Sequence, residues 1–380
     1  MEIKKLEISG FKSLNKLILH DVGKFGILAG ANGSGKSNIF DALKFISLCI
    51  TQGLNNALTS FGGFEYIHCF RIRKESARTL KFYINVEENN ISYEYSLTIV
   101  DMDSNPHMVE FIRANNSLLC ERKKDGSVLV YHIADYSIGD DTTNGTTYTK
   151  INYPSNLPIV NIVTGTPIYQ LFINLRLYRI DPVAAKNSSL LGWNSSCLDV
   201  NGQNIAKVLD ELKKDASFCE KLNDFMSLTV PGINTISTEK QALEIRTVLA
   251  FKERGLSKRF PAHLISDGTI YLLCLFTAVL HPKCQKGITL IEEPERGINP
   301  KPIEELIALL RDQASENRFI FITTHNETVV RSANVQELVF AYKENGITKI
   351  KWGRDYSDFT KNMPLDTAWL SNMFGSGLPW

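Results

Sequence analysis

The 380-residue sequence carries almost no surplus charge: 42 Lys and Arg against 41 Asp and Glu leave +1. A global basic excess of the kind that advertises nucleic-acid binding is missing, so any such contact must be a local patch. There is no C-x-x-C pair. The seven cysteines, Cys49, Cys69, Cys120, Cys197, Cys219, Cys274 and Cys284, are odd in number, and several sit in apolar segments. That pattern argues against a zinc site or a disulfide frame and predicts reduced core thiols in a cytoplasmic protein. No apolar run is long enough for a bilayer. The longest apolar helix candidate, Ile270 to Leu280, stops well short of a span, so no membrane association is expected. Met1-Glu2-Ile3-Lys4-Lys5 is followed by no signal-peptide core. Fixed-period repeats and sustained heptads are also missing. With 43% hydrophobic and 22% charged residues, the chain has ordinary globular composition and the length of two or three domains.

Against these absences stands Gly30-Ala31-Asn32-Gly33-Ser34-Gly35-Lys36-Ser37, which fits G-x-x-x-x-G-K-[S/T], the phosphate-binding loop. Its context fits too. Phe25 to Ala29 reads as a short apolar strand entering it, and Asn38 to Ile50 as a helix leaving it, with Ile39, Leu43, Ile46 and Ile50 at helical spacing. Glycines let the backbone curl until successive N–H groups face phosphate oxygens, and the helix N-terminus adds partial positive charge. Lys36 supplies a point charge to the β- and γ-phosphates of ATP, and the Ser37 hydroxyl can ligate Mg²⁺.

The remaining pattern alternates. Ile3, Leu6 and Ile8 predict a first strand and Leu17 to Leu19 a second, with Gly62 to Tyr66 a turn. Residues 80–86 and 91–100 predict an antiparallel hairpin, and further β-like runs follow at 108–112, 118–121 and 128–133. Residues 137–150 read as a polar contact loop or a solvated excursion. Residues 168–180 pass from helix to strand. Ile205, Val208, Leu209 and Leu212 predict a helix and Phe218, Leu222 and Phe225 a second one, before strands at 233–238 and 242–251. Leu264-Ile265-Ser266-Asp267-Gly268-Thr269 opens an apolar helix to Leu280, with Ser266 or Asp267 as N-cap. Two predominantly apolar runs, 288–291 and 319–322, suit strands buried on both faces of a parallel sheet, with a helix at 301–315 between them. A hairpin around Asn345-Gly346 and a helix within 366–374 close the chain.

Three apolar strands thus end in polar groups: the phosphate loop, Glu292-Glu293, and Thr324-His325. In an open parallel sheet the carboxyl ends of strands form the ligand crevice, so one ATP site can collect all three. Glu292 is expected to hold Mg²⁺ and Glu293 to orient or deprotonate the attacking water. Two adjacent carboxylates tolerate each other beside a bound cation. His325 is placed to sense the γ-phosphate, with a structural histidine as the alternative. The Ser266 to Thr269 turn, a capped helix start, can bind an anion.

Those motifs, in that order, resemble the ABC-type ATPase heads of the SMC/RecF/OLD group, and more closely the compact bacterial AAA15/AAA21-type ATPases. The matching residues are Ile8 to Leu14, the Walker A loop 30–37, the signature Ile265 to Thr269, the Walker B run Leu290 to Glu295 and the switch Thr323-Thr324-His325. Further similarity lies at Leu198 to Leu212 and around Gly62 to Glu65. The resemblance implies an α/β fold: an ABC-type P-loop head with a mixed, mainly parallel core sheet, an antiparallel β subdomain and a helical lobe. It implies residues 1–180 as an N-terminal lobe with a β-rich insertion at about 80–165, residues 181–265 as an accessory lobe leading to the signature, and residues 266–380 as the C-terminal lobe of one composite head. It also implies a head-to-head homodimer or a higher oligomer of such dimers. In that dimer Ser266 and Gly268 complete the partner's ATP site, and Lys12 and Ser13 lie near the nucleotide's base or ribose. Asn32, Gly33, Ser34, Gly35, Lys36 and Ser37 bind the phosphates.

Two departures stand out. Asn299 replaces a histidine common in relatives, and the family's Q-loop glutamine has only Gln52 and Gln170 as candidates. About 55 residues follow Thr323, below the usual domain size, so no nuclease of its own is expected. Asp101-Met102-Asp103 reads as a turn. The basic runs Arg71 to Lys74, Arg122 to Lys124 and Lys252 to Arg259 read as phosphate contacts or solvated hairpin faces. The expected function is an ATPase switch for a separate effector, a nuclease, in bacterial anti-phage defence, with DNA as a further partner. The alternative is a DNA-repair or chromosome-maintenance ATPase acting directly on DNA, whose hydrolysis DNA would stimulate. A transporter subunit is a distant third.

Overall fold

The computed structural model describes residues 1–69, 78–102, 105–132, 147–190, 192, 196–241, 245–358 and 363–375. The basic run 71–74, Asp103 and most of the polar loop 137–150 lie outside them, as does the start of the strand expected at 242–251. The chain forms two compact units: residues 1–23, 32–175 and 341–350, and residues 24–31, 176–340 and 351–380.

The first unit is built on an eight-stranded sheet, antiparallel at each pairing. Alternation decides which face is covered. Along Thr79–Glu88 the residues Leu80, Phe82, Ile84 and Val86 are buried, and on the next strand Tyr95, Leu97 and Ile99. The helix Lys36–Gln52 turns Ile39, Leu43 and Ile46 inward. Phe11 and Phe45 meet there at 5.8 Å, and Phe82 meets Phe172 of the helix Pro167–Ile173 edge-on at 5.4 Å. Two local features differ from expectation. Phe64–Ile67 is one helical turn, and Leu54–Ser60 is a helix with no strong sequence signal. Thr59 and Ser60 in its last turn donate their hydroxyls back to the carbonyls of Asn55 and Asn56.

The second unit holds a parallel ladder, Arg176–Tyr178, Gly287–Glu292, Arg318–Thr324, Phe25–Ala29 and Leu338–Phe340, in that spatial order. Ile27, Leu290, Ile320 and Ile322 are fully buried, as both-face burial requires. The helices Asp267–Leu280 and Pro300–Asp312 add to this core, and Trp369 of Leu365–Leu370 packs beside Phe340. The buried Arg318 guanidinium donates to the carbonyl of Val279, to Gln285 Oε1 and to Thr289 Oγ1. Burial pulls its pKa down to about 10. A smaller antiparallel sheet contains Ile233–Gln241 and Arg246–Glu253. Among the described residues parallel pairing is therefore confined to one sheet of three, and the α/β fold is more antiparallel than a mainly parallel core implied.

One reading of the cysteines is corrected. Cys197 and Cys284, 87 residues apart, are joined as a disulfide. The spacing carried no signal for it, because the fold alone brings the two together. The other five are free thiols, all but Cys219 buried. Among the described residues no helix is long and apolar enough to cross a membrane.

Candidate functional site: a nucleotide-binding edge

In the second unit three strands end side by side. Ala29 is registered with Thr324 and Thr323 with Glu292, and the Gly30 amide donates to the Thr324 carbonyl at 3.2 Å. The phosphate loop thus starts at the same sheet edge that carries Glu292, Glu293 and His325. Glu293 turns the chain off this edge with φ +47°, the left-handed region that an L-residue adopts at a cost of roughly 1–3 kcal/mol. Three hydrogen bonds hold that turn. The Glu293 amide donates to the Thr323 carbonyl at 3.0 Å. The Tyr271 hydroxyl donates to the carbonyls of Glu293 and Glu292 at 2.8 and 3.3 Å. The Glu293 carboxylate then lies 2.9 Å from His325 Nδ1, both side chains part-exposed.

Glu292 accepts from Arg179 Nη2 at 2.8 Å. Glu295 is buried, accepts the Thr324 hydroxyl at 2.6 Å and keeps its second oxygen without a hydrogen-bond partner. Burial raises its pKa, against the pull of the Thr324 bond. Arg179, Tyr271 and Glu295 had no assigned role in the sequence. Only Glu295 was visible, as the end of the Walker B run, because contacts across more than twenty residues leave no periodic trace.

The signature turn belongs to the same unit. Ser266 is the N-cap: its Oγ accepts from the Thr269 amide at 3.2 Å, and it is exposed. Asp267 pairs with Lys186. Gly268 lies so close to the Gly297 carbonyl that a Cβ would stand 2.4 Å from that oxygen. Asn299, at the N-cap of Pro300–Asp312, is exposed and makes no capping bond.

In the first unit Asn32 to Ser37 continue the loop. Gly33 and Gly35 have φ +76° and +100°. A Cβ on Gly35 would stand 1.9 Å from Thr348 Oγ1 and 2.9 Å from Ser13 Oγ. Those hydroxyls form an ordered chain. Asn38 Nδ2 donates to Ser13 Oγ at 2.6 Å, and Thr348 Oγ1 donates to the Ser34 carbonyl at 3.0 Å. The proton between Ser13 and Thr348, 2.6 Å apart, therefore comes from Ser13. Lys12, at φ +47°, pairs with Asp41 on the helix that leaves the loop. Lys36 is buried, whereas Asn32, Gly33 and Ser37 are exposed. Ser34 Oγ is buried without a hydrogen-bond partner, an orphan that a phosphate oxygen suits. The described residues hold no cluster of three metal-ligating His, Cys, Asp or Glu. Mg²⁺ needs none: it is commonly held by one or two protein oxygens, its waters and substrate phosphates.

Of the basic runs, Arg122 is neither a phosphate contact nor a solvated face. It is buried, bonded to Glu110 at 3.0 Å and to the carbonyls of Pro154 and Leu157. Lys123 pairs with Glu121, and Arg259 with Glu239. Asp101 is buried against Arg78. Gln170 donates its amide to the Thr164 carbonyl at 3.0 Å.

A glycine loop running from a parallel strand into a helix, with paired acids ending another strand of the same sheet, defines the class: a P-loop ATPase head. The sequence matches the family described as "AAA domain, putative AbiEii toxin, Type IV TA system" over residues 27–331, and the chain belongs to that family. No curated protein matches it in sequence. Solved structures of similar fold include SMC heads. One is bound to the C-winged helix domain of ScpA (14% identity, TM-score 0.58, 92% of this chain and 98% of that one covered). Another is the SMC head domain from Thermotoga maritima (17%, TM-score 0.50, 92% and 98%). A third, derived from Pyrococcus furiosus, has an extended coiled coil and is bound to the C-terminal domain of ScpA (13%, TM-score 0.56, 96% and 100%). The chain is an ATPase of this AAA family with a fold similar to that of SMC heads.

Proposed function

We propose that the protein is an ATP-driven switch. It binds ATP with Mg²⁺, closes as a head-to-head homodimer, hydrolyses the nucleotide and controls a separately encoded effector, a nuclease, in bacterial anti-phage defence. The observation that carries the hydrolytic part is the Glu293–His325 pair on a strained backbone, one strand away from the strand that feeds the phosphate loop. The amides of Asn32 to Gly35 and the ammonium of Lys36 bind phosphate oxygens. Ser37 and Glu292 would hold Mg²⁺, which would supply positive charge against the phosphates. Glu293 takes the proton of the attacking water, and His325 fixes the carboxylate. Ser13 acts through the loop, by way of Thr348. Ser266 and Gly268, at an exposed and a half-exposed turn, complete the partner's site. The type IV toxin–antitoxin wording of the family's description supports a defence switch over DNA repair.

The test is Glu293→Gln. It binds ATP as the wild type does and loses turnover by roughly 10²–10⁴, the contribution of a positioned base. Captured with ATP from its host, it retains an effector protein. Retention of DNA alone, with DNA-stimulated hydrolysis in the wild type, decides for the repair reading. Retention of neither removes the switch.

A further inference from the structure

Away from the sheet edge, the second unit has an open cleft of about 800 Å³ that no part of the ATPase reading uses. Lys207, Lys213, Lys214, Lys240 and Lys283 line it, against Asp210, Glu211 and Asp215, a balance of two positive charges. The carboxylates are already engaged. Asp210 takes Lys213 and Lys240, and Glu211 takes Lys207 at 3.3 Å. Asp215 caps the helix Ala216–Thr229 by accepting the Phe218 amide at 3.0 Å. Among the described residues no acid pairs with Lys214 or Lys283, and both are exposed.

The second observation is His281, which also lines the cleft. It is 1% exposed, and its buried Nε2 has no hydrogen-bond partner among the described residues. Its Nδ1 accepts the Lys283 amide at 3.2 Å, so in the neutral ring the proton sits on Nε2, a buried donor with nothing to donate to. A buried N–H of this kind is costly unless an acceptor arrives. Lysine ammonium groups bind phosphate as point charges, and the volume is that of a small-molecule site. The engaged carboxylates disfavour a long polyanion, which would have to run past all three.

We propose that this cleft is a second anion site that binds a phosphate dianion, free or as the phosphomonoester of a small metabolite, through Lys214, Lys283 and the His281 Nε2–H. It is separate from the phosphate loop.

Calorimetric titration of the full chain with inorganic phosphate, ribose 5-phosphate and ribose tests it. Either phosphate binds and ribose does not. Tighter binding of ribose 5-phosphate identifies a phosphomonoester as the source, and equal binding identifies free phosphate. The Lys214→Ala/Lys283→Ala protein, altered only at exposed positions, binds at least tenfold more weakly, as does His281→Phe. Lys36→Ala, which disables the phosphate loop, leaves this binding unchanged. The proposal is overturned if neither phosphate binds, if the double lysine variant binds normally, if Lys36→Ala abolishes the binding, or if only a 5′-phosphorylated oligonucleotide binds.

Discussion

The imidazole of His325 and the carboxylate of Glu293 meet at 2.9 Å, although 32 residues separate them. The contact exists because Glu293 leaves its strand in a left-handed turn while His325 follows the end of the neighbouring parallel strand. A carboxylate held this way has its orientation fixed before substrate arrives. The first prediction is that His325→Ala lowers kcat about tenfold or more and leaves KM for ATP within twofold, since the ring acts on the base rather than on binding. Steady-state kinetics decide it: a rise in KM with kcat intact would assign the ring to nucleotide binding.

Gly268→Ala tests the signature turn. The added methyl would sit 2.4 Å from the Gly297 carbonyl oxygen, a backbone atom that cannot swing away. Overpacking of this kind costs about 1–3 kcal/mol. We expect a lower Tm and a hydrolysis defect larger than the stability loss accounts for. An unchanged Tm would mean that the contact with residue 297 is looser than the backbone indicates.

Thr348→Val interrupts the hydroxyl chain behind the loop while preserving its shape. Ser34 loses the donor to its carbonyl, and Ser13 loses its acceptor. Each lost bond is worth about 1 kcal/mol, so ATP affinity falls by up to roughly thirtyfold with secondary structure unchanged. Affinity measured with the Thr348→Ser protein, which keeps the hydroxyl, stays near the wild-type value.

Asp210 predicts an acid-dependent stability. Burial alone would raise its pKa, but hydrogen bonds from Lys213, Lys240 and Thr238 hold it at about 2, against an ordinary 3.8. A depressed folded-state pKa stabilises the protein above the unfolded value, and that stabilisation is lost as pH falls from about 4 towards 2. The amount is on the order of 2 kcal/mol. Chemical denaturation of wild type and Asp210→Asn across that window should converge as the pH drops. Parallel curves would show that Asp210 is not the group titrating.

Much of the nucleotide edge was legible because it is written locally. The loop residues 30–37, the acids after Ile291 and the histidine after Thr324 each follow a short apolar run, and such runs mark buried parallel strands at the residue level. The N-cap role of Ser266 was legible for the same reason, as a small polar residue before an apolar helix. Arg122 misled, since a basic tripeptide looks solvated until the carboxylate of Glu110, which is remote in sequence, is placed beside it. The Cys197–Cys284 bond misled likewise, because an odd cysteine count carries no pairing information.

The class of chemistry is written in the primary structure: a backbone curl for phosphate, a lysine and paired acids, each encoded within a few residues. What supports them comes from how the chain packs. Thr348 behind Ser34, Tyr271 beneath Glu293 and Arg179 on Glu292 are 314, 22 and 113 residues from their partners. Hydrogen bonds at such separations follow from how strands are ordered and packed, which no local pattern of residues records.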